Sequence, residues 1–294
     1  MDLQIPGLIA LLFISLGPGI LWVWFFYAKD RAEPEPKRLV ARAFAYGAIS
    51  VFPAALLEAP FRRVITTGPR DLAALLVVSV LVVGLVEEVV KFVAVKLAAY
   101  DNREFNEVMD GVVYAVAAGL GFAAAENLFY ATSFGIAVGL FRAFITDLAH
   151  ASFSGIVGYY LGRAKFDARH AGGLLARGLV AAIVLHGLYD FLIIGRIVPP
   201  VFGILMILAT YAYLNRKIRQ AQRLSPFRRR AGRPGTATPD GHLEDSRQGA
   251  EGTAAPAQAT QAAHDQPQGE TAANAGGIPE GCGNLRDGNL DDGR

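Results

Sequence analysis

Residues 72–98 read LAALLVVSVLVVGLVEEVVKFVAVKLA, and the first charge in the stretch is Glu87. A helix of about 20 apolar residues spans the ~30 Å hydrocarbon core of a bilayer, so this segment is long enough to cross. Its centre nevertheless holds Glu87, Glu88 and Lys91 in the string LVEEVVKF. One stretch therefore fixes two expectations: the chain is an integral membrane protein, and its chemistry lies within the membrane.

Six further stretches read as spans, at roughly 5–27, 39–59, 109–130, 139–161, 174–194 and 198–215. The chain is 53% hydrophobic and only 18% charged although its last seventy or so residues are polar, so the apolar excess is concentrated before residue 215. The first stretch lacks a basic leading region and a clear small-residue cleavage site, and is too long for the core of a secretion signal; it is read as a helix. The fold class expected is all-α, a polytopic bundle of about seven transmembrane helices. The stretch 131–145, with Arg142 close to a span start, also admits a re-entrant segment.

Lysine and arginine are unevenly shared between the loops. One side holds Lys29, Arg31, Lys37 and Arg38, then Arg103, then Arg163, Lys165 and Arg169, then the run from Arg216 to Arg233; the other has Arg62, Arg63, Arg70 and Arg196. Cytoplasmic loops carry the excess of basic residues, which predicts an external N-terminus and a cytoplasmic C-terminus. Residues 1–215 form the expected membrane domain and 216–234 a basic juxtamembrane segment, a topology anchor that could also meet anionic lipid. Residues 235–294, rich in Gly, Ala, Pro, Gln and acidic groups, have little apolar surface to bury and are expected to be disordered. The sole cysteine, Cys282, lies in that tail and excludes an internal disulfide or a cysteine-based metal centre.

Ionisable groups inside a bilayer cost ~2.5–3.5 kcal/mol each on insertion scales, so those that persist face a partner or a water-filled cavity. Here they recur on four successive spans: Glu87, Glu88 and Lys91 on the third, Glu126 and Asn127 on the fourth, Asp147 and His150 on the fifth, His186 and Asp190 on the sixth. Glu87 and Lys91 share a helix face with Glu88 beside them, which lets Lys91 keep one carboxylate ionised while the other exchanges protons. Small and polar residues repeat every fourth position as Gly111, Ala115, Gly119, Ala123 and Asn127, as Thr146, His150, Ser154 and Gly158, and as Gly178, Ala182, His186 and Asp190. Such stripes let backbones approach closely, so these faces should meet inside the bundle. Each cluster alone also reads structurally, as a neutralised packing pair or a satisfied hydrogen bond, but four together would each need separate compensation.

The order EExxK, GFAAAEN, a histidine in the next span and HxxxD after it resembles the PrsW family of intramembrane proteases, and through it the wider superfamily of CAAX prenyl proteases. The resemblance covers roughly residues 70–195. It implies a bacterial cell-membrane enzyme that cuts a membrane-anchored regulatory protein, such as an anti-sigma factor with a single span, with the lipid bilayer as its other partner and no nucleic acid. By position it assigns Glu87, Glu88, His150 and His186 to catalysis, with Lys91, Glu126, Asn127 and Asp190 in support. Asp190 stands where the wider superfamily often has asparagine, and a carboxyl must be protonated to donate to an oxyanion.

Water activated by Glu87 or Glu88, with both histidines orienting it and stabilising the developing charge, is the mechanism these residue types allow. No serine is paired with a base, and the zinc-protease string HExxH is absent. Zinc could still be held by His150, His186 and one of Glu88 or Glu126, with Glu87 as base and an open position for water. PrsW proteins are usually called metalloproteases, whereas relatives in the wider superfamily resemble metal-free enzymes, so both forms stay open. The competing classes are a proton-coupled transporter, which the lack of an internal repeat disfavours, and an inactive membrane scaffold.

With Cys282 replaced, single cysteines near positions 66 and 135 should label with an impermeant maleimide applied to intact cells, and those near 33, 103 and 168 should not. The reverse pattern would overturn the orientation.

Overall fold

The computed structural model describes residues 5–67 and 71–228, so the expected disordered tail at 235–294 lies outside the described residues. Every regular element among those residues is helical. In chain order the long helices are α1 (Ile5–Tyr27), α2 (Lys37–Glu58), α3 (Leu72–Tyr100), α4 (Val108–Phe134), α5 (Ile136–Phe166), α6 (Ala171–Ile194) and α7 (Pro200–Leu224). A 3-10 turn at Ala59–Phe61 and a short helix at Arg62–Thr67 carry α2 onward, and α3 contains π-helical turns at Ser79–Gly84 and Lys96–Tyr100. Six of the seven long helices are long and apolar enough to cross a membrane. The seventh, α5, spans 31 residues but carries Arg142, Asp147, His150, Arg163 and Lys165, which lower its hydropathy.

Short connections make sequential helices antiparallel neighbours. The shortest is Gly135 alone, between α4 and α5, with φ +97°. This backbone region is strained for a side chain carrying a Cβ and open to glycine. The stretch 131–145 is thus helical on both sides of a one-residue turn rather than a separate re-entrant element.

Helix α4 is almost wholly buried and packs chiefly on α5 and α2, with α1 next. Its sequence, VMDGVVYAVAAGLGFAAAENLFYATSF, explains the position: alanine and glycine on all sides admit neighbours from all sides. The outer helices instead turn large apolar side chains away from the protein, among them Phe13 and Leu56 at 75% exposure. An apolar exterior around a core of small residues suits a lipid surround, where association depends on close packing rather than on expulsion of water.

Two glycine contacts set the geometry that matters most. A Cβ built at Gly111 of α4 would lie 2.3 Å from the Gly158 carbonyl oxygen of α5. One built at Gly187 of α6 would lie 2.4 Å from Val80 Cα, and one at Gly84 would lie 2.7 Å from the Ile183 carbonyl oxygen. Here α3 and α6 touch backbone to backbone, through the π-helical turn of α3. Such turns shift the helix register locally and gather at functional sites. Glu87 and Glu88 follow Gly84 by one turn, and His186 adjoins Gly187, so this contact controls how far apart those side chains begin.

Gly187→Val should therefore lower the thermal stability of the detergent-purified protein by an overpacking cost of about 1–3 kcal/mol. Gly172→Ala, with nothing within 4 Å of its Cβ, should leave the melting temperature unchanged. Equal melting temperatures for the parent and Gly187→Val would show that α3 and α6 are not held this closely.

Candidate active site

Lys91 is buried within α3, at 2% exposure, with its ammonium over the Phe122 ring at 4.8 Å. Around the ammonium stand Glu88 Oε1 at 2.6 Å, His150 Nδ1 at 3.3 Å and Glu87 Oε2 at 3.4 Å. The i+3 and i+4 spacings of α3 supply both carboxylates, and Gly119 of α4, where a Cβ would lie 3.0 Å from the His150 carbonyl oxygen, lets α5 bring the histidine close. A buried ammonium donates and cannot accept. His150 Nδ1 is therefore the acceptor, which puts the ring proton on Nε2, where it donates to Glu126 Oε2 at 3.0 Å.

His186 is fixed in the opposite tautomer. Its Nδ1 lies 2.9 Å from Glu88 Oε1 and donates to it. Its Nε2 faces Glu87 Oε2 at 3.6 Å and Asp190 Oδ2 at 3.5 Å. Phe153 stacks on the ring at 5.1 Å, and the two imidazoles meet edge to face at 5.3 Å. Glu88, fully buried, thus accepts from a lysine on its own helix and from a histidine 98 residues away. It acts as an anchor that orients others.

A cavity of about 300 Å³ adjoins this network and is lined by Glu87, Glu126, His150, His186 and Asp190, but not by Glu88. It extends towards the C-terminal ends of α2, α4 and α6, opposite the basic loops. Glu58, at the end of α2, also lines it, with Oε1 buried and without a hydrogen-bond partner. Sequence reading missed Glu58 because it closes an apolar run immediately before Arg62 and Arg63, where a carboxylate looks like an ordinary span boundary. Asn127 lies elsewhere: its amide donates to Asp147 Oδ1 at 2.8 Å and ties α4 to α5.

Glu87, His150 and His186 each offer a ligand atom within 4.8 Å of the others. Two imidazoles and a carboxylate form a donor set suited to a zinc-class cation, and Glu88 behind His186 supplies the carboxylate that commonly orients a metal-ligating histidine. Glu88 itself is engaged by Lys91 and His186, so the carboxylate beside the two histidines is Glu87.

The family description "PrsW family intramembrane metalloprotease" matches residues 35–214. The chain is 32% identical over 213 residues to Protease PrsW of Geobacillus kaustophilus, covering 72% of this chain and 92% of that one. It is 34% identical over 185 residues to Protease PrsW of Bacillus subtilis, covering 63% and 83% respectively. A third relative, Protease PrsW of Clostridioides difficile, is 32% identical over 190 residues, covering 62% of this chain and 79% of its own. No solved structure matches the chain.

Histidine-selective nitrogen NMR of protein treated with chelator should find His150 protonated at Nε2 and His186 at Nδ1. Replacing Glu88 by leucine should abolish the preference at His186 alone; an unchanged His186 signal would separate Glu88 from that ring.

Proposed function

The chain belongs to the PrsW family of intramembrane proteases, and from that premise we propose that it cuts single-span membrane proteins of the anti-sigma-factor class by water activation at Glu87. The observation that carries this reading is the cavity in which Glu87, Glu126, His150 and His186 converge. Of the paired glutamates, only Glu87 lines it. The division of labour follows: Glu87 takes the proton from water as the water attacks the peptide carbonyl, while Glu88, neutralised by Lys91, keeps the His186 ring in place. Glu87 then returns that proton to the departing amide nitrogen, and His150, held by Glu126, offers its Nε2–H as a hydrogen bond to the oxygen of the carbonyl under attack. Groups of this kind contribute roughly 10²- to 10⁴-fold each.

A neighbouring cavity of about 630 Å³ shares Ile145, Tyr189 and Ile193 with the first. It gives an extended substrate segment an apolar approach between α5, α6 and the start of α7. In the orientation expected from the basic loops, both cavities face the outer half of the cell membrane, so cleavage would fall on that side of the substrate's span.

Glu87, His150 and His186 stand close enough to hold zinc as well, provided that His150 gives up the Nε2 proton it now shares with Glu126 and Lys91 turns away from Nδ1. When bound, such a cation polarises a carbonyl and makes water a stronger acid. With Glu87 committed to such an ion, Glu126, 3.0 Å from His150 and lining the same cavity, would be the carboxylate left to act as base.

Reconstitution with candidate single-span substrates and mass spectrometry of the products tests the activity. Glu87→Gln and His186→Ala should each lower cleavage by roughly 10²-fold or more with insertion intact; near-parental cleavage by both would refute the assignment, and a milder effect of Glu87→Gln than of Glu88→Gln would reverse the roles of the two glutamates. Stoichiometric zinc, loss of activity on chelation and recovery with added zinc are expected of the metal form, with Glu126→Gln then as severe as Glu87→Gln. Full activity after chelation would leave Glu87 as an unassisted base.

A further inference from the structure

A second group of buried carboxylates lies at the opposite end of the bundle, among the basic loops and away from the cavity. Asp30 and Glu35 come from the α1–α2 connection and Asp110 from the first turn of α4; each offers an oxygen within 4.8 Å of the others, at 4%, 3% and 0% exposure. The local fold accounts for only part of their bonding capacity. Asp110 Oδ2 caps α4, accepting from the Asn106 and Glu107 amides at 2.6 and 2.7 Å. Tyr114 donates to Glu35 Oε2. Asp30 Oδ2 and Asp110 Oδ1 are buried with no hydrogen-bond partner.

Among the described residues none of the three forms an ion pair with a lysine, arginine or histidine. Glu107 adds further negative charge beside Asp30 and Asp110. Buried carboxylates without a cationic partner either take up protons or hold a metal.

We infer that Asp30, Glu35 and Asp110 form a binding site for a hard divalent cation of the magnesium or calcium class. An all-oxygen donor set with no imidazole or thiolate selects such ions over zinc or copper. The two unpartnered oxygens, Asp30 Oδ2 and Asp110 Oδ1, are the acceptors such an ion would satisfy. Access exists, because Asp30 also lines an open cavity of about 690 Å³ with Glu107, Asn215 and Gln222. The ion would join the α1–α2 connection to the start of α4, the helix that carries Glu126, and replace mutual carboxylate repulsion with a shared ligand. It is distinct in place and in ligand chemistry from the His150/His186 centre.

The test uses the full-length chain, purified in detergent and stripped with chelator. Terbium(III), a calcium stand-in excited through nearby tyrosine, should give saturable luminescence that calcium competes away, and magnesium or calcium should raise the melting temperature. Both signals should weaken at least tenfold in cation affinity in Asp30→Asn and in Glu35→Gln, and persist in Glu87→Gln, which leaves this cluster untouched. Asp110 is left intact because its loss would also uncap α4; should Glu35→Gln fail to fold, Asp30→Asn on the connecting loop carries the test alone. No response to any of these ions up to ~10 mM, beyond the weakest calcium sites of proteins, would overturn the inference and identify a proton-sharing cluster. So would binding that is unchanged in Asp30→Asn.

Discussion

An ammonium group in the middle of a membrane protein has to be neutralised where it stands, and Lys91 meets that requirement with Glu88 at 2.6 Å and Glu87 at 3.4 Å. Neither carboxylate could be buried alone at tolerable cost, and neither could the lysine. Joined, they leave Glu88 with enough acceptor capacity to hold His186 and leave Glu87 turned towards the cavity. His150 enters the same arrangement as an acceptor, which sends its remaining proton towards Glu126. The tautomers of both rings therefore follow from the position of one lysine.

That arrangement can form only where helix axes come close enough for short side chains to meet. Gly84 and Gly187 let α3 and α6 touch, and Gly111 with Gly158 does the same for α4 and α5. Such contacts favour assembly in lipid, where dispersion and backbone proximity must replace the hydrophobic effect. The small residues around α4 are thus part of the chemistry at one remove: they fix the separations across which carboxylates and imidazoles interact. The π-helical turn at Ser79–Gly84 lies within the same contact, just before the paired glutamates.

At the other end of the bundle the same physics operates without a paired cation among the described residues. Among the described residues Asp30, Glu35 and Asp110 converge with no lysine, arginine or histidine paired to them, whereas Glu87 and Glu88 of the candidate site have Lys91 between them. The contrast separates a network that is internally neutralised from one that requires something from solution.

The membrane character, the helical class and the candidate residues Glu87, Glu88, Lys91, His150 and His186 were legible in the sequence, because each follows from local spacing or from the insertion cost of a charge within an apolar run. The family description then agreed with the order of motifs. Which glutamate faces the cavity was not legible, since Glu87 and Glu88 are adjacent and differ only in what the opposite helix presents. Nor could Glu58 or the Asp30, Glu35 and Asp110 group be found, as their members lie in connections or at helix ends where carboxylates are ordinary, and Glu35 meets Tyr114 only across 79 residues. Periodicity specifies the face of a helix. The partner of that face depends on how closely two backbones can pack, and that was decided by glycines whose role becomes visible only once the helices are assembled.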